Sequence, residues 1–149
     1  MLVVMLFVAL QAAALPKEVT PHRDFNRIAT FRCDFPDGEG RDSFDSPLAR
    51  IKDGKLGELI FDSVDYRNRS ARLIGNIGSA TVDLIDGELA TSFIETTSVG
   101  GVNVTTVFKG AIVGSPLAQT FRAVSSRHIA RTIGGETMTQ HYGTCKGLV

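Results

Sequence analysis

The chain lacks an excess of charge of either sign. Lysine and arginine together number 16, aspartate and glutamate also number 16, and the formal net charge at pH 7 is zero. Nucleic-acid-binding proteins normally carry a basic excess that neutralises phosphates, and polybasic membrane-surface proteins carry one for anionic lipids. The balance therefore argues against both classes, and we expect no nucleic-acid partner.

Familiar catalytic motifs are also missing. The sequence contains no G-x-S-x-G nucleophile motif and no H-E-x-x-H zinc motif. No glycine-rich loop leads from a strand into a helix, where it would hold a phosphate. Beyond the N-terminus, no long segment repeats apolar residues at helical spacing. We therefore predict no cofactor and no long helix.

The N-terminus carries an apolar run over residues 1–10, followed by three alanines at 12–14. This pattern is typical of a secretory signal peptide with a small-residue cleavage site, and the run is too short to cross a bilayer as a helix. We predict a signal peptide over 1–14, a secreted or periplasmic location and no membrane span in the mature chain. A buried N-terminal helix is the alternative.

Only two cysteines are present, Cys33 and Cys145, one near each end of the expected mature chain. In an oxidising compartment, an even pair is best interpreted as one disulfide. Such a bond would enclose almost the whole domain, for which the chain-entropy account gives about 4–5 kcal/mol. Two unpaired thiols are the alternative.

Short segments rich in Val, Ile, Thr and Phe alternate with Gly, Asn and Asp turns, a pattern typical of an all-β sandwich or barrel. We predict eight strands and a weaker one at 47–52; the eight cover 28–35, 58–66, 71–77, 80–85, 89–97, 102–113, 118–129 and 137–145. Antiparallel strands joined by short turns form an up-and-down meander, and closure into a barrel removes the exposed edges. We favour a closed barrel over an open sandwich, with an irregular arm at 15–27 and one β-barrel domain at 28–149.

Turn sequences also predict strand register. Taken as two-residue hairpins, the Asp-Gly and Gly-Gly turns at 86–87 and 100–101 place one apolar set on a common face: Val82, Leu84, Leu89, Phe93, Val104 and Phe108. The turn after Tyr66 would similarly pair Val64 with Leu73 and Asp65 with Arg72. A one-residue slip would reverse each face.

The signal peptide, the meander and the terminal cysteine pair together resemble the calycin class of small secreted barrels, which includes the lipocalins. The lipocalin Gly-x-Trp hallmark is absent, because the chain has no tryptophan. The segments FRCDFPDGEGR and SRH…HYGTC are also similar to small secreted bacterial proteins of unassigned function. These resemblances imply a fold and a compartment, and they supply no activity.

Two histidines flank the Gly134-Gly135 pair. A two-residue turn there would place His128 opposite His141 on one face and Arg127 opposite Tyr142 on the other. Paired imidazoles can share a metal or act as an acid and a base, but a zinc site needs a third protein ligand, which no motif supplies. His128 and His141 are therefore candidate catalytic residues, and a polar hairpin face is the alternative.

Glu95, Arg127 and Tyr142 form a candidate ligand-binding set. By alternation Arg127 shares a face with Phe121, and Glu95 shares one with Phe93, so the three polar side chains would ring one barrel mouth, where small ligands enter. A structural ion pair or cation–π contact is the alternative.

The predicted hairpin conflicts with the disulfide, because an inward Cys145 would bring His128 and His141 inward and turn Phe121 outward. A bulge near Gly143, or a disulfide beyond the sheet, would resolve the conflict.

The acidic segment at 34–42 is a candidate calcium loop. Asp34, Asp37, Glu39 and Asp42 surround two glycines and offer the oxygen ligands that Ca²⁺ prefers, although the spacing is not that of an EF-hand. An ordinary solvated turn is the alternative.

The sequence as a whole predicts a non-catalytic barrel that binds a small apolar ligand or a partner protein. One alternative is an enzyme or metal site built on His128 and His141. Another is an inhibitor or envelope interaction protein, which would need an exposed apolar patch and a filled barrel.

Overall fold

The computed structural model describes residues 20–42, 49–112, 119–131 and 135–149. The predicted signal peptide at 1–14 and the start of the predicted arm lie outside these ranges. A short 3-10 helix, Phe25–Arg27, precedes nine strands: β1 Thr30–Asp42, β2 Ala49–Asp53, β3 Gly57–Asp65, β4 Ser70–Gly75, β5 Gly78–Asp86, β6 Ala90–Thr96, β7 Val102–Ala111, β8 Thr120–Ala130 and β9 Glu136–Leu148. In the described part of the chain, no helix is long and apolar enough to span a membrane.

The strands form one antiparallel sheet in the order β2-β1-β3-β4-β5-β6-β7-β8-β9, and β1 also pairs with β9. Eight strands therefore close into an up-and-down barrel. The additional strand, β2, lies beside the second half of β1, from Gly38 to Asp42. The predicted all-β closed barrel is confirmed, and it is compatible with the lipocalin-like fold that the resemblance implied.

The disulfide crosses the line where the barrel closes. Cys33 on β1 lies directly opposite Cys145 on β9, their sulfurs are bonded, and both side chains are fully buried. The predicted Cys33–Cys145 bond is thus present. It lies within the sheet, so the alternative of a disulfide beyond the sheet is wrong.

One end of the barrel, here called the closed end, is sealed by the segment before β1. Phe25 and Ile28 are buried there, and the Phe25 ring packs edge-on against Phe121. The Tyr66 hydroxyl donates a 3.3 Å hydrogen bond to the carbonyl oxygen of Phe25. Because burial raises the pKa of Tyr66, this hydroxyl stays protonated and keeps its donor.

A buried cation also lies at the closed end. The Lys109 ammonium is 2.8 Å from Asp86 Oδ1, 3.2 Å from Asn26 Oδ1 and 5.1 Å from the centroid of the Phe25 ring. A buried lysine is tolerated only when it is paired and hydrogen-bonded. These contacts meet that requirement and fasten the N-terminal segment to β5 and β7.

Aromatic side chains fill the centre of the barrel. Phe61 and Phe93 stack with their centroids 4.2 Å apart, and Phe31 lies 5.7 Å from Phe93 in an edge-on arrangement. Each side chain is at most 2% exposed. Burial of such rings supplies much of the hydrophobic stabilisation of a small domain.

Four predicted registers, those of β3–β4, β5–β6, β6–β7 and β8–β9, are wrong, because the connecting turns are longer than two residues. Phe93 lies opposite Thr105 instead of Phe108, so the inward face of β7 carries Thr105, Val107 and Lys109, while Phe108 is 45% exposed. In β5 and β6, Leu84 pairs with Phe93. The predicted partner of Leu84 is Leu89, so the register differs by four residues. This even difference keeps Leu84 and Phe93 inward, as predicted, but leaves Leu89 exposed.

Between β3 and β4, the four-residue turn at 66–69 and a one-residue irregularity within β3 together shift the pairs by three residues. Asp62 pairs with Arg72 and Phe61 with Leu73, in place of Asp65–Arg72 and Val64–Leu73. An ion pair with Arg72 does form at the surface, but its partner is Asp62, whose Oδ1 accepts from Arg72 Nε at 2.8 Å.

The acidic segment belongs to a strand, so the predicted loop is corrected. β1 continues to Asp42, and its pairing with β9 shifts between Asp34 and Asp37. Such a bulge inserts residues without ending the strand. It turns Gly38 inward beyond the alternating inward residues Phe31, Cys33 and Phe35.

Candidate functional site

The end of the barrel opposite the N-terminal segment is open and leads into a cavity of about 570 Å³. The turns at 76–77 and 97–101 stand at its entrance, here called the mouth. The stacked rings of Phe61 and Phe93 are part of its lining, so the cavity lies directly against the aromatic core.

The cavity has two chemically different walls. The apolar wall comes from β3, β4 and β5 and the turn before β3, and it consists of Leu56, Leu59, Phe61, Leu73 and Ala80. The polar wall comes from β6, β7 and β8, and it consists of Glu95, Asn103, Thr105, Ser125 and Arg127. A molecule in this cavity would meet hydrocarbon on one side and hydrogen-bonding groups on the other.

Strand register places the polar side chains in two rows. Glu95 lies opposite Asn103, Asn103 opposite Arg127, and Arg127 opposite Thr139. We call these four residues the polar row. The neighbouring row, deeper in the barrel, contains Thr105 and Ser125, whose hydroxyls are 3.1 Å apart.

Two of the three predicted ligand-binding residues therefore come together at the cavity. Glu95 and Arg127 both line it and are separated by Asn103, whose Nδ2 donates a 2.6 Å hydrogen bond to Glu95 Oε2. Tyr142 lies elsewhere. It is 48% exposed, opposite Val124 on the outer face of the barrel, and its hydroxyl donates to Gln140 Oε1 at 3.2 Å.

The predicted histidine pair does not form. His128 lies opposite Met138 and His141 opposite Ser125, because the β8–β9 loop runs from Arg131 to Gly135 and closes with an Arg131 N–H to Gly135 O bond. The resulting three-residue offset puts the histidines on opposite faces of the sheet. His128 is exposed, whereas His141 is 1% exposed inside the barrel.

Inside the barrel, His141 faces an acid. Its Nε2 is 3.2 Å from Asp53 Oδ2, at the end of β2. Gly38 lies between them in the register, opposite both residues, and the imidazole covers the position that a Cβ on Gly38 would occupy. The contact joins β9, β1 and β2 on the mouth side of the disulfide.

The candidate calcium ligands are spread along β1. Asp34 forms a 3.2 Å ion pair with Lys55, and Asp37 Oδ1 accepts from the Gly38 N–H at 2.9 Å. Glu39 pairs through its backbone with Lys52 and Gln140, and the Asp42 side chain lies outside the described part. Among the described residues, no three His, Cys, Asp or Glu side chains form a group that could hold a metal.

Sequence reasoning missed Asn103, Thr105 and Ser125 as cavity residues. The wrong register of β7 turned Asn103 and Thr105 outward, and Ser125 carried no motif.

Comparison with protein-family models, with curated proteins and with solved structures gives no match.

Proposed function

We propose that this barrel is a non-catalytic binding protein that holds a small, mainly apolar molecule in its open cavity. The observation that supports the proposal best is the cavity itself. Its volume of about 570 Å³ lies within the range of roughly 300–1,000 Å³ that is typical of small-molecule sites. One wall is apolar, and a few polar groups lie opposite it, which is the usual composition of such sites.

The packing of the two barrel ends supports the same proposal. Protein interiors are normally close-packed, and the core beneath the closed end follows this rule, with Phe25 and Ile28 at 1% exposure; the cleft outside it is lined largely by polar residues. The mouth half leaves space between Leu59, Leu73 and the polar row. The alternative of an inhibitor or envelope interaction protein called for a filled barrel, and the open cavity argues against it.

The proposed place of action is outside the cytoplasm, in the periplasm or the extracellular space. The Cys33–Cys145 disulfide is compatible with an oxidising compartment, and the sequence predicts a signal peptide over 1–14. An enzyme using the predicted histidine pair is disfavoured by the separation of His128 and His141 onto opposite faces.

Filling the cavity tests the proposal. Ala80 lines the cavity opposite Leu73, so Ala80→Phe would occupy part of the space. Thr81 is the adjacent exposed residue of β5, and Thr81→Phe adds the same ring outside the barrel as a matched control. The probe is N-phenylnaphthylamine, a neutral apolar dye that fluoresces on leaving water.

We expect the wild-type protein and Thr81→Phe to bind the dye alike, and Ala80→Phe to bind at least about tenfold more weakly, with thermal unfolding confirming that both variants fold. Native mass spectrometry of the purified wild-type protein should also show a bound small molecule. If the dye binds Ala80→Phe as well as the wild type, the cavity is not the binding site.

A further inference from the structure

Arg127 is a cation on the cavity wall without a described counter-charge. Its side chain is partly buried and lines the cavity. Across the described part of the chain, no ion pair or hydrogen bond engages its guanidinium, whereas the buried cation at the closed end, Lys109, is paired with Asp86. Arg127 is thus a charged hydrogen-bond donor on the cavity wall, placed where an anion in the cavity could pair with it.

The nearest acid in the polar row does not fill this role. Glu95 is bound by Asn103 at 2.6 Å, and Asn103 separates it from Arg127 in the register. Adjacent strands are about 4.8 Å apart, so the backbones of Glu95 on β6 and Arg127 on β8 are roughly 10 Å apart. Glu95 therefore lies in the same row as Arg127, but it is not the direct neighbour of Arg127 in that row.

A second observation points to the same part of the barrel. Among the residues that the structure describes, four buried side-chain atoms have no hydrogen-bond partner, namely Asn103 Oδ1, Thr137 Oγ1, Thr139 Oγ1 and His141 Nδ1. All four belong to the mouth-side halves of β7 and β9, and Thr139 is the direct neighbour of Arg127. Of these four residues, Asn103 is the one that lines the cavity. Because buried polar groups in folded proteins are nearly always satisfied, its unpaired oxygen marks the wall beside Arg127 as short of polar partners from the chain itself.

We propose that the ligand is an amphipathic anion, with an apolar chain that lies along Leu59, Phe61 and Leu73 and a terminal carboxylate that meets Arg127. The proposal rests on the proposed cavity function and names its ligand class. The planar guanidinium presents parallel N–H donors that match the two oxygens of a carboxylate. The two walls of the cavity then correspond to the two parts of one molecule.

The test compares two ligands of equal chain length, dodecanoate and dodecanol, as competitors of the neutral dye N-phenylnaphthylamine. Only the first carries a charge at pH 7. Arg127→Gln removes the cation. Arg122→Gln is the matched control, because Arg122 is an exposed residue on the same strand, β8, and does not line the cavity.

We expect the wild-type protein to bind dodecanoate at least about tenfold more tightly than dodecanol, the effect of one charge-assisted hydrogen-bonded contact. Arg127→Gln should lose this preference and keep its affinity for dodecanol, while Arg122→Gln keeps both. If Arg127→Gln does not fold, Arg127→Lys, which retains the charge, should keep part of the preference, and that preference should fall as salt is added.

Equal binding of the two competitors by the wild type, or an undiminished preference in Arg127→Gln, would overturn the proposed ligand class while leaving the cavity function intact. Failure of both competitors and of the dye to bind would instead refute the cavity function itself. The two failures are therefore distinguishable.

Discussion

The His141 imidazole lies against Gly38 so closely that a side chain at position 38 would collide with it. Both residues belong to one row across β9, β1 and β2, and the imidazole continues past the glycine to Asp53, 3.2 Å away. The absence of a side chain at Gly38 thus leaves room for the imidazole on β9 to reach Asp53 on β2. Its role is steric, and its consequences can be measured.

Gly38→Ala should destabilise the protein by about 1–3 kcal/mol, the usual effect of overpacking a filled interior. The added Cβ would displace the imidazole from Asp53. Urea unfolding measures the loss. Gly54→Ala serves as a control, because a Cβ there would meet no atom within 4 Å, and it should change stability little. A Gly38→Ala variant as stable as the wild type would contradict the packing described.

The disulfide should contribute about 4 kcal/mol to the free energy of unfolding, because Cys33 and Cys145 are 112 residues apart and the bond restricts a long unfolded loop. Replacing both cysteines by alanine should remove this contribution. Dithiothreitol should lower the urea midpoint of the wild type but leave that of the double variant unchanged. A double variant with wild-type stability would show that barrel closure does not depend on the bond.

The ion pair of Lys109 and Asp86 should be strongly coupled, because the lysine side chain is only 6% exposed and the aspartate 26%. In a double-mutant cycle of Lys109→Met and Asp86→Asn, we expect a coupling of roughly 1.5–3 kcal/mol, the range for hydrogen bonds to charged groups. Thermal or urea unfolding of the four proteins provides the measurement.

The pair of Arg72 and Asp62 is the control for that cycle, because its cation is 56% exposed whereas Lys109 is 6% exposed. Its coupling should be smaller and should fall as salt is added. The hydrogen bond from Arg72 lowers the pKa of Asp62, so the contribution of this pair is present above the ordinary aspartate pKa and disappears as the pH falls through the lowered value. Equal coupling energies in the two pairs would contradict an effect of the different burial of Lys109 and Arg72.

The strands were predictable because alternation and turn residues are local signals. All eight main strands and the weaker ninth exist within a few residues of their predicted ends, with β1 as the exception at its C-terminal end. Its extension to Asp42 depends on pairing with β2 and β9, which local sequence does not report. The disulfide was likewise predictable from cysteine count and expected compartment.

Strand register was less predictable, because the length of the connecting loop fixes the register. The Asp-Gly and Gly-Gly dipeptides suggested two-residue loops, which are too short. Where the predicted register is wrong by an even number of residues, as at Leu84 and Phe93, the inward faces are preserved. Where it is wrong by an odd number, as at Thr105 and His128, the faces are reversed. The β8–β9 error was detectable from the sequence, since an inward Cys145 and an inward Phe121 were incompatible with it. The longer loop from Arg131 to Gly135 places both inward with a regular β8–β9 pairing, and the bulge opposite Gly143 lies in β1 instead.

The site was predicted in part. Glu95 and Arg127 share the cavity wall because alternation within each strand was interpreted correctly, while Tyr142 depended on the wrong register. The Lys109–Asp86 contact joins residues from two strands to Asn26 in the N-terminal segment. No spacing rule brings these three positions together, so only the folded arrangement identifies them.

Strand β2 has a consequence for self-association. Of the described strands it alone pairs on one side only, with β1, so it restores an edge to a sheet that has otherwise closed on itself. Unpaired strand edges are where chains add to one another during aggregation. In the folded protein, intermolecular strand addition through the described sheet would begin at β2, whose five residues offer a short template for it.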